Sequence, residues 1–143
     1  MTTTSSDLDH QGTKRPATAV DRFLDAIRTA SIPDADVWAA DARLDATVPN
    51  WRLGVEGADA IRDTYAGWFA DPGRFEELRR LPVPGGELVE YTLSWEESGV
   101  PHAAHHAHVL ILGRDGRIVD DHVFCGGRWN AALLAEMESA AGG

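Results

Sequence analysis

The chain has 143 residues, 43% of them hydrophobic, which is enough for one domain with its own core. Its formal net charge of -10 disfavours nucleic acid and anionic membrane surfaces as partners, because both attract basic proteins. The single cysteine cannot form an internal disulfide, which favours a reducing cytoplasm. Lys14 is the only lysine beside an excess of arginine, a bias that resembles the products of GC-rich bacterial genomes.

The N-terminal part of the chain divides into a tail and a first helix. Residues 1–15 are rich in Ser, Thr and Asp, so we expect a disordered tail followed by a single domain over residues 16–141. Apolar residues at positions 20, 23, 24 and 27 fall on one helical face. Thr18 is a suitable N-cap for this helix.

The next segment is predicted to alternate between helix and strand. We predict a short helix over residues 34–40, a strand over 43–48, and a loop that contains Trp51. A third helix is predicted to begin at Gly57. Its apolar stripe consists of Ile61, Tyr65, Trp68 and Phe69.

Strand patterns dominate the rest of the chain. Residues 75–81 are predicted to form one strand, and the clear alternation of residues 88–96 predicts another. A hairpin follows, and a short amphipathic helix capped by Asn130 closes the chain. Helices that precede a run of antiparallel strands predict an α+β fold with the helices on one face of the sheet.

The hairpin carries most of the candidate chemistry. Asp115-Gly116 between two apolar runs is a strong signal for a tight turn. A two-residue turn there pairs Leu112 with Val119, Leu110 with Asp121, His108 with Val123 and His106 with Cys125. The opposite face then carries His105, Ala107, Val109, Ile111, Ile118, Asp120, His122 and Phe124. A turn one residue longer would instead bring His108 beside His122, and alternation alone leaves open which face points inward.

Several segments of the sequence resemble those of a known protein family. They are the helix of residues 20–27, Asp41-Ala42, residues 49–51, residues 57–61, and residues 116–119. Their order and spacing resemble the nuclear transport factor 2-like superfamily, in its SnoaL-like and ketosteroid-isomerase-like branch, over residues 17–138. The resemblance implies a cone-shaped α+β barrel. In it, three N-terminal helices pack against a strongly curved, mostly antiparallel sheet and enclose a hydrophobic pocket.

The resemblance also locates functional positions. Ketosteroid isomerases use a tyrosine, an aspartate base and a second acid, and the matching positions here are Phe23, the region of residues 46–49 and His108. Two of these groups are missing, so steroid isomerisation by that mechanism is not expected. The same count points His108 into the pocket, and Asp121 matches the catalytic aspartate of SnoaL-like cyclases. His106, His108 and Tyr91 are similar to the histidine and tyrosine set of scytalone dehydratase.

These residues predict acid/base chemistry. His108 and Asp121 are diagonal neighbours on one hairpin face, close enough to share a proton, and His106 lies on the same face. We predict a cofactor-independent polyketide cyclase, isomerase or dehydratase (a lyase).

The alternative is a non-catalytic module that binds a small molecule in the same pocket. The same residues could also be a polar sheet face without a function. A metal site at His106, His108 and Asp121 is disfavoured because same-face residues on one strand stand about 7 Å apart, so we predict no metal. The sequence has no Gly-rich phosphate loop or nucleotide fingerprint, so we also predict no cofactor.

The expected partners are a hydrophobic small molecule and a second copy of the chain. The predicted substrate-binding residues are Phe23, Trp38, Trp51, Tyr65, Trp68, Tyr91, Trp95, Leu110, Val123 and Cys125. The face opposite the pocket carries the apolar residues Val109, Ile111, Ile118 and Phe124. A sheet that is apolar on both faces needs cover on both, so we predict a homodimer through the outer face.

Overall fold

The computed structural model describes residues 16–142, so the predicted disordered tail of residues 1–15 lies outside the described residues. The helices are α1 (Ala19–Thr29), α2 (Ala58–Trp68) and α3 (Ala131–Gly142). The strands are β1 (Trp38–Val48), β2 (Trp51–Glu56), β3 (Gly73–Val83), β4 (Gly86–Glu97), β5 (Val100–Leu112) and β6 (Ile118–Trp129). A single 3₁₀ turn, Ile32–Asp34, links α1 to β1.

The six strands form one curled, mixed sheet. Their order is β2-β1-β6-β5-β4-β3, and β1 with β6 is the parallel pair among otherwise antiparallel neighbours. The apolar faces of α1 and α2 lie against the concave side of the sheet, and the core fills the space between them. This architecture confirms the predicted α+β cone.

Local sequence explains α1 well. Thr18 accepts a hydrogen bond from the backbone N–H of Asp21, and the Asp21 carboxylate accepts one from the backbone N–H of Thr18. This reciprocal capping box satisfies two N–H groups that would otherwise lack partners. The helix buries Phe23 and Ile27 completely. The prediction of this helix and of its cap is confirmed.

The predicted helix over residues 34–40 is wrong. The 3₁₀ turn ends at Asp34, and the chain enters β1 at Trp38. The amide of Ile118 donates to the carbonyl of Val37 at 2.9 Å, so this segment is held by the sheet. Val37 and Trp38 are both buried although they are adjacent, which hides the alternation that marks a strand.

The predicted loop at Trp51 is also wrong. Asn50 has a φ of 64°, a left-handed conformation that asparagine tolerates better than most residues. This geometry closes a tight hairpin in which Trp51 pairs directly with Val48. Trp51 therefore begins β2, with 68% of its surface exposed.

The register of the β5–β6 hairpin agrees with the two-residue turn over most of its length. His106 pairs with Cys125, His108 with Val123, and Leu110 with Asp121. The longer-turn alternative, which places His108 beside His122, is not formed.

The turn itself differs from the prediction. Gly113 donates to the carbonyl of Arg117 at 2.8 Å, and a register shift follows Ile111, so Leu112 pairs with Ile118 rather than with Val119. This shift rotates Ile118 into the core, where it is fully buried. The predicted place of Ile118 on the outer face is therefore wrong.

The closing helix α3 begins as expected. The backbone N–H of Leu133 donates to Asn130 Oδ1 at 2.9 Å, which confirms the cap. Leu133 and Met137 remain 42% and 38% exposed. Within residues 16–142, none of the helices has both the length and the apolar character to cross a membrane.

Candidate functional site

Four side chains form a continuous hydrogen-bonded chain inside the cone. Tyr65 on α2 donates its hydroxyl to Asp121 Oδ2 at 2.6 Å. Asp121 on β6 holds His108 Nδ1 through Oδ1 at 3.0 Å, and His108 Nε2 lies 2.9 Å from the Tyr91 hydroxyl. All four side chains are fully buried. We call Tyr65, Asp121, His108 and Tyr91 the buried relay.

The fold brings the relay together from three directions. His108 and Asp121 come from paired strands of the hairpin, and Asp121 lies two residues from Val123, the direct partner of His108. Tyr91 lies on β4, two residues beyond Val89, the partner of His108, and therefore on the same inward face. Tyr65 reaches the carboxylate from the opposite side because it lies on the buried stripe of α2.

Proton positions in the relay follow from what each group can accept. An ionised carboxylate only accepts, so both Tyr65 and His108 Nδ1 donate to Asp121. A neutral His108 then accepts at Nε2 from Tyr91. Burial, followed by the Asp121 charge, raises the pKa of Tyr65 and of Tyr91 well above the ordinary value, so both hydroxyls keep their protons at neutral pH. Each donor of the relay thus has an acceptor, and Asp121 is its one carboxylate.

His106 lies beside the relay but has a different environment. Its ring is stacked on that of His108, with centroids 6.1 Å apart, and is tilted against that of Tyr91, with centroids 5.2 Å apart. The side chain is 4% exposed, and Nδ1 has no hydrogen-bond partner among the described residues. Burial, together with the neighbouring His108, lowers its pKa to about 3. His106 is therefore neutral at physiological pH.

A cavity of about 370 Å³ opens at the wide end of the cone, with His106 in its wall. The other wall residues are mostly apolar: Val48, Pro49, Leu53, Gly67, Trp68, Phe69, Leu93, Trp95, Ala104, Cys125, Gly127 and Arg128. The volume falls within the range of small-molecule sites, about 300–1,000 Å³. Two larger clefts, of about 620 and 630 Å³, lie elsewhere on the surface and are lined by charged side chains.

The predicted site residues divide into three groups by position. Those in the cavity wall are Trp68, Trp95, His106 and Cys125. Those buried behind the wall are Phe23, Trp38, Tyr65, Tyr91, His108, Leu110, Asp121 and Val123. Trp51 is in neither group, since it is exposed on β2. The structure thus brings His108 and Asp121 into direct contact but does not place either of them in the cavity wall.

Sequence reasoning missed nine of the thirteen wall residues and one contact. Phe69 and Arg128 line the cavity without having been singled out, and Tyr65 binds Asp121 rather than facing the cavity. The helical stripe that predicted the inward direction of Tyr65 also contained Phe69. Arg128 lies near the end of β6, and a strand end gives no pattern from which side-chain direction can be predicted.

The three-ligand metal alternative does not have the required geometry. His106 and His108 stack face to face rather than converging on one point. Across residues 16–142, no three His, Cys, Asp or Glu side chains come close enough together to hold a metal ion.

Comparison with known proteins gives structural but not sequence matches. No protein-family profile matches the sequence, and no curated protein matches it either. An NTF-2-like protein of unknown function from Burkholderia xenovorans LB400 is similar in structure, with 19% identity and a TM-score of 0.53. The match covers 76% of this chain and 80% of that one.

Two further solved structures have the same architecture. SalBIII, an epoxide hydrolase/cyclase-like enzyme with a role in pyran ring formation in the polyether salinomycin, matches with a TM-score of 0.60 at 12% identity. That match covers 78% of this chain and 92% of SalBIII. A protein from the de novo design of proteins with diverse pocket structures matches at 0.51 and 12% identity, over 75% of this chain and 95% of that one. At these identities the similarity establishes a shared fold.

Proposed function

Because the chain has the nuclear transport factor 2-like fold, we propose that it is a cofactor-independent acid/base enzyme acting on a hydrophobic small molecule. Its reaction is of the polyketide cyclase, isomerase or dehydratase type. His108 and Asp121 form the proton-transferring pair, and His106 is the polar group that first meets the ligand in the cavity.

The buried relay is the observation that supports this proposal. A carboxylate with no exposed surface costs several kcal/mol of desolvation, which a well-packed apolar group of the same size would avoid. Ionisable groups held in such surroundings concentrate at functional sites. A histidine oriented by a buried carboxylate also has the arrangement that a general base requires.

The proposed reaction needs two proton transfers, one from the substrate to His108 and one from His108 back to the substrate. A C–H proton next to a carbonyl passes to His108 Nε2, and the Asp121 carboxylate stabilises the imidazolium that forms. The imidazolium then delivers a proton, either the one it took or one exchanged with solvent, to the same carbon, to another carbon or to a departing oxygen. The Tyr91 hydroxyl occupies His108 Nε2, and the His106 ring lies against Tyr91. The ligand must therefore displace both the Tyr91 hydroxyl and His106 to reach the base.

That separation favours a second candidate function. His108 and Asp121 do not line the cavity, so a ligand could bind there without touching either. The protein would then be a non-catalytic binding module, and the buried relay would serve the specificity and rigidity of the core.

Deuterium exchange into β-tetralone in D₂O, followed by proton NMR, separates the two functions. This apolar ketone has acidic C–H groups and stands in for the unidentified substrate. We expect the protein to accelerate exchange and Asp121→Asn to lower the rate by roughly 10²-fold, the usual contribution of a general base. Glu90→Gln is the matched control, because it makes the same change beside the exposed His105.

Binding is measured in parallel through the fluorescence of Trp68 and Trp95, which line the cavity. An unchanged affinity in Asp121→Asn shows that the variant is folded. Tight binding of the ketone without any exchange would contradict the enzyme and support the binding module.

The remaining expectations belong to the same proposal. We propose one domain over residues 16–141, in a bacterial cytoplasm, that dimerises through the outer face of the sheet. Phe124 is 52% exposed there, and Val109 and Ile111 are half-buried on the same face. Light scattering that gives the monomer mass at micromolar concentration would contradict the dimer.

A further inference from the structure

The wall of the cavity has an unusual charge for this protein. Acidic residues outnumber basic ones by 23 to 13 in the whole chain. Yet the described residues that line the cavity include no carboxylate, and their one charged side chain is Arg128. The other polar side chains in the wall are His106 and Cys125. In this acidic protein the described residues of the cavity wall thus carry a guanidinium and a neutral imidazole but no carboxylate.

Arg128 lies at the mouth of the cavity. Its side chain is 60% exposed, and its guanidinium carbon lies 5.6 Å from the centroid of the Trp95 ring. One of its nitrogens forms an ion pair with the Glu97 carboxylate, which lies outside the cavity wall and offsets part of the Arg128 charge. A guanidinium has five N–H donors, so this contact leaves others free to bind an anion.

The inner end of the cavity, in contrast to the mouth, has no group within residues 16–142 that favours an anion. His106 is neutral there, with a pKa of about 3, so it cannot balance the charge of an anion. Its buried Nδ1 has no partner among the described residues. Since an unpaired buried acceptor is tolerated better than an unpaired N–H, the ring proton belongs on Nε2.

The buried relay also acts on the inner end. Behind His106 lies the fully buried Asp121 carboxylate, which repels a second negative charge. The inner end therefore suits a neutral hydrogen-bond acceptor such as a carbonyl oxygen.

We propose that the cavity binds apolar keto acids, with the carboxylate at Arg128 and the ketone oxygen at His106. The apolar body of the ligand lies between Trp68, Phe69 and Trp95. The inference rests on the proposed function in that it takes this cavity as the substrate site.

Three aryl compounds that differ in one group test it by calorimetry. β-Benzoylpropionate has both the ketone and the carboxylate, its methyl ester lacks the charge, and γ-phenylbutyrate lacks the ketone. We expect the keto acid to bind about fivefold more tightly than the ester, the upper end of the range for a partly exposed ion pair. A similar factor is expected over γ-phenylbutyrate, from one hydrogen bond in a dry site.

Two variants assign each preference to its residue. Arg128→Gln should abolish the preference for the acid over the ester. Arg43→Gln makes the same charge change away from the cavity and should have no effect. His106→Phe should abolish the preference for the ketone.

Equal affinities of acid and ester for the unmodified protein would overturn the inference, as would failure of all three to bind at millimolar concentration. A preference that survives in Arg128→Gln would overturn it as well. The titration does not depend on turnover, so a clear acid preference without deuterium exchange would uphold this inference and reject the acid/base enzyme. Exchange without an acid preference would do the reverse.

Discussion

Strand β5 carries the same chemical arrangement on each of its two faces. On the inner face, His108 is bonded to the Asp121 carboxylate at 3.0 Å and to the Tyr91 hydroxyl at 2.9 Å. On the outer face, His105 is bonded to the Glu90 carboxylate at 2.8 Å and to the Thr92 hydroxyl at 2.7 Å. Distances and group types hardly distinguish the two.

The two arrangements differ in how deeply they are buried. His108 and Asp121 have no exposed surface, whereas the His105 and Glu90 side chains are 34% and 36% exposed. Water competes for the outer hydrogen bonds and screens the outer charges, so such pairs contribute about 0–1 kcal/mol. In the inner set each group depends on its neighbours, because no solvent can replace a lost partner. Hydrogen-bond geometry alone is therefore a poor guide to a functional site in this protein.

The strongest test of this contrast removes one carboxylate from each face. Asp121→Ala leaves the Tyr65 hydroxyl and His108 Nδ1 without an acceptor in the core, so we expect a loss of about 3–5 kcal/mol in the free energy of unfolding. Glu90→Ala should cost less than about 1 kcal/mol. Urea denaturation measures both, and losses that agree within about 1 kcal/mol would show that burial does not set the energy.

A second test removes one hydroxyl from each face. Tyr65→Phe deletes the donor to Asp121 Oδ2 without changing the shape of the side chain, and hydrogen bonds to charged groups contribute about 1.5–3 kcal/mol. Thr92→Val is the matched outer change and should cost well under 1 kcal/mol. A Tyr65→Phe protein as stable as its parent would mean that Asp121 is not ionised in the folded state.

The sequence predicts the register of the inner site and its direction in the cone. An Asp-Gly turn and strict alternation are enough to place His108 near Asp121, and the family resemblance chose the inward face. The bulge at Val119 escaped prediction because Ile118 and Val119 are adjacent and both apolar, so the sequence does not show which of the two points inward. The same reason explains the false helix at Trp38.

Contacts between distant segments could not be predicted. Tyr65 and Asp121 are 56 positions apart, and nothing in either local pattern indicates that they meet. The separation of His108 from the cavity by His106 depends on how the rings of Trp68 and Phe69 pack against His106. Such packing follows from three-dimensional shape and leaves no periodic signal.

The smallest expected effect concerns His106, the histidine that belongs to neither arrangement. Its folded pKa of about 3 lies below the unfolded value of about 6.5, so the unfolded chain binds the extra proton first as the pH falls. Stability due to this group is present above pH 6.5 and declines between pH 6.5 and pH 3. From about pH 7.5 to about pH 5.5 the expected loss is about 1.4 kcal/mol.

His106→Phe isolates this effect, because phenylalanine fills a similar volume and does not titrate. The variant should lose about 1.4 kcal/mol less than the parent over the same pH interval, with all other histidines unchanged. His105→Phe, on the exposed face, should follow the parent. If the two variants and the parent show the same pH dependence, then water reaches His106 in the folded protein. The wall between the cavity and the buried relay would then be open at His106, and the Tyr91 hydroxyl would be the group that a ligand must displace to reach His108.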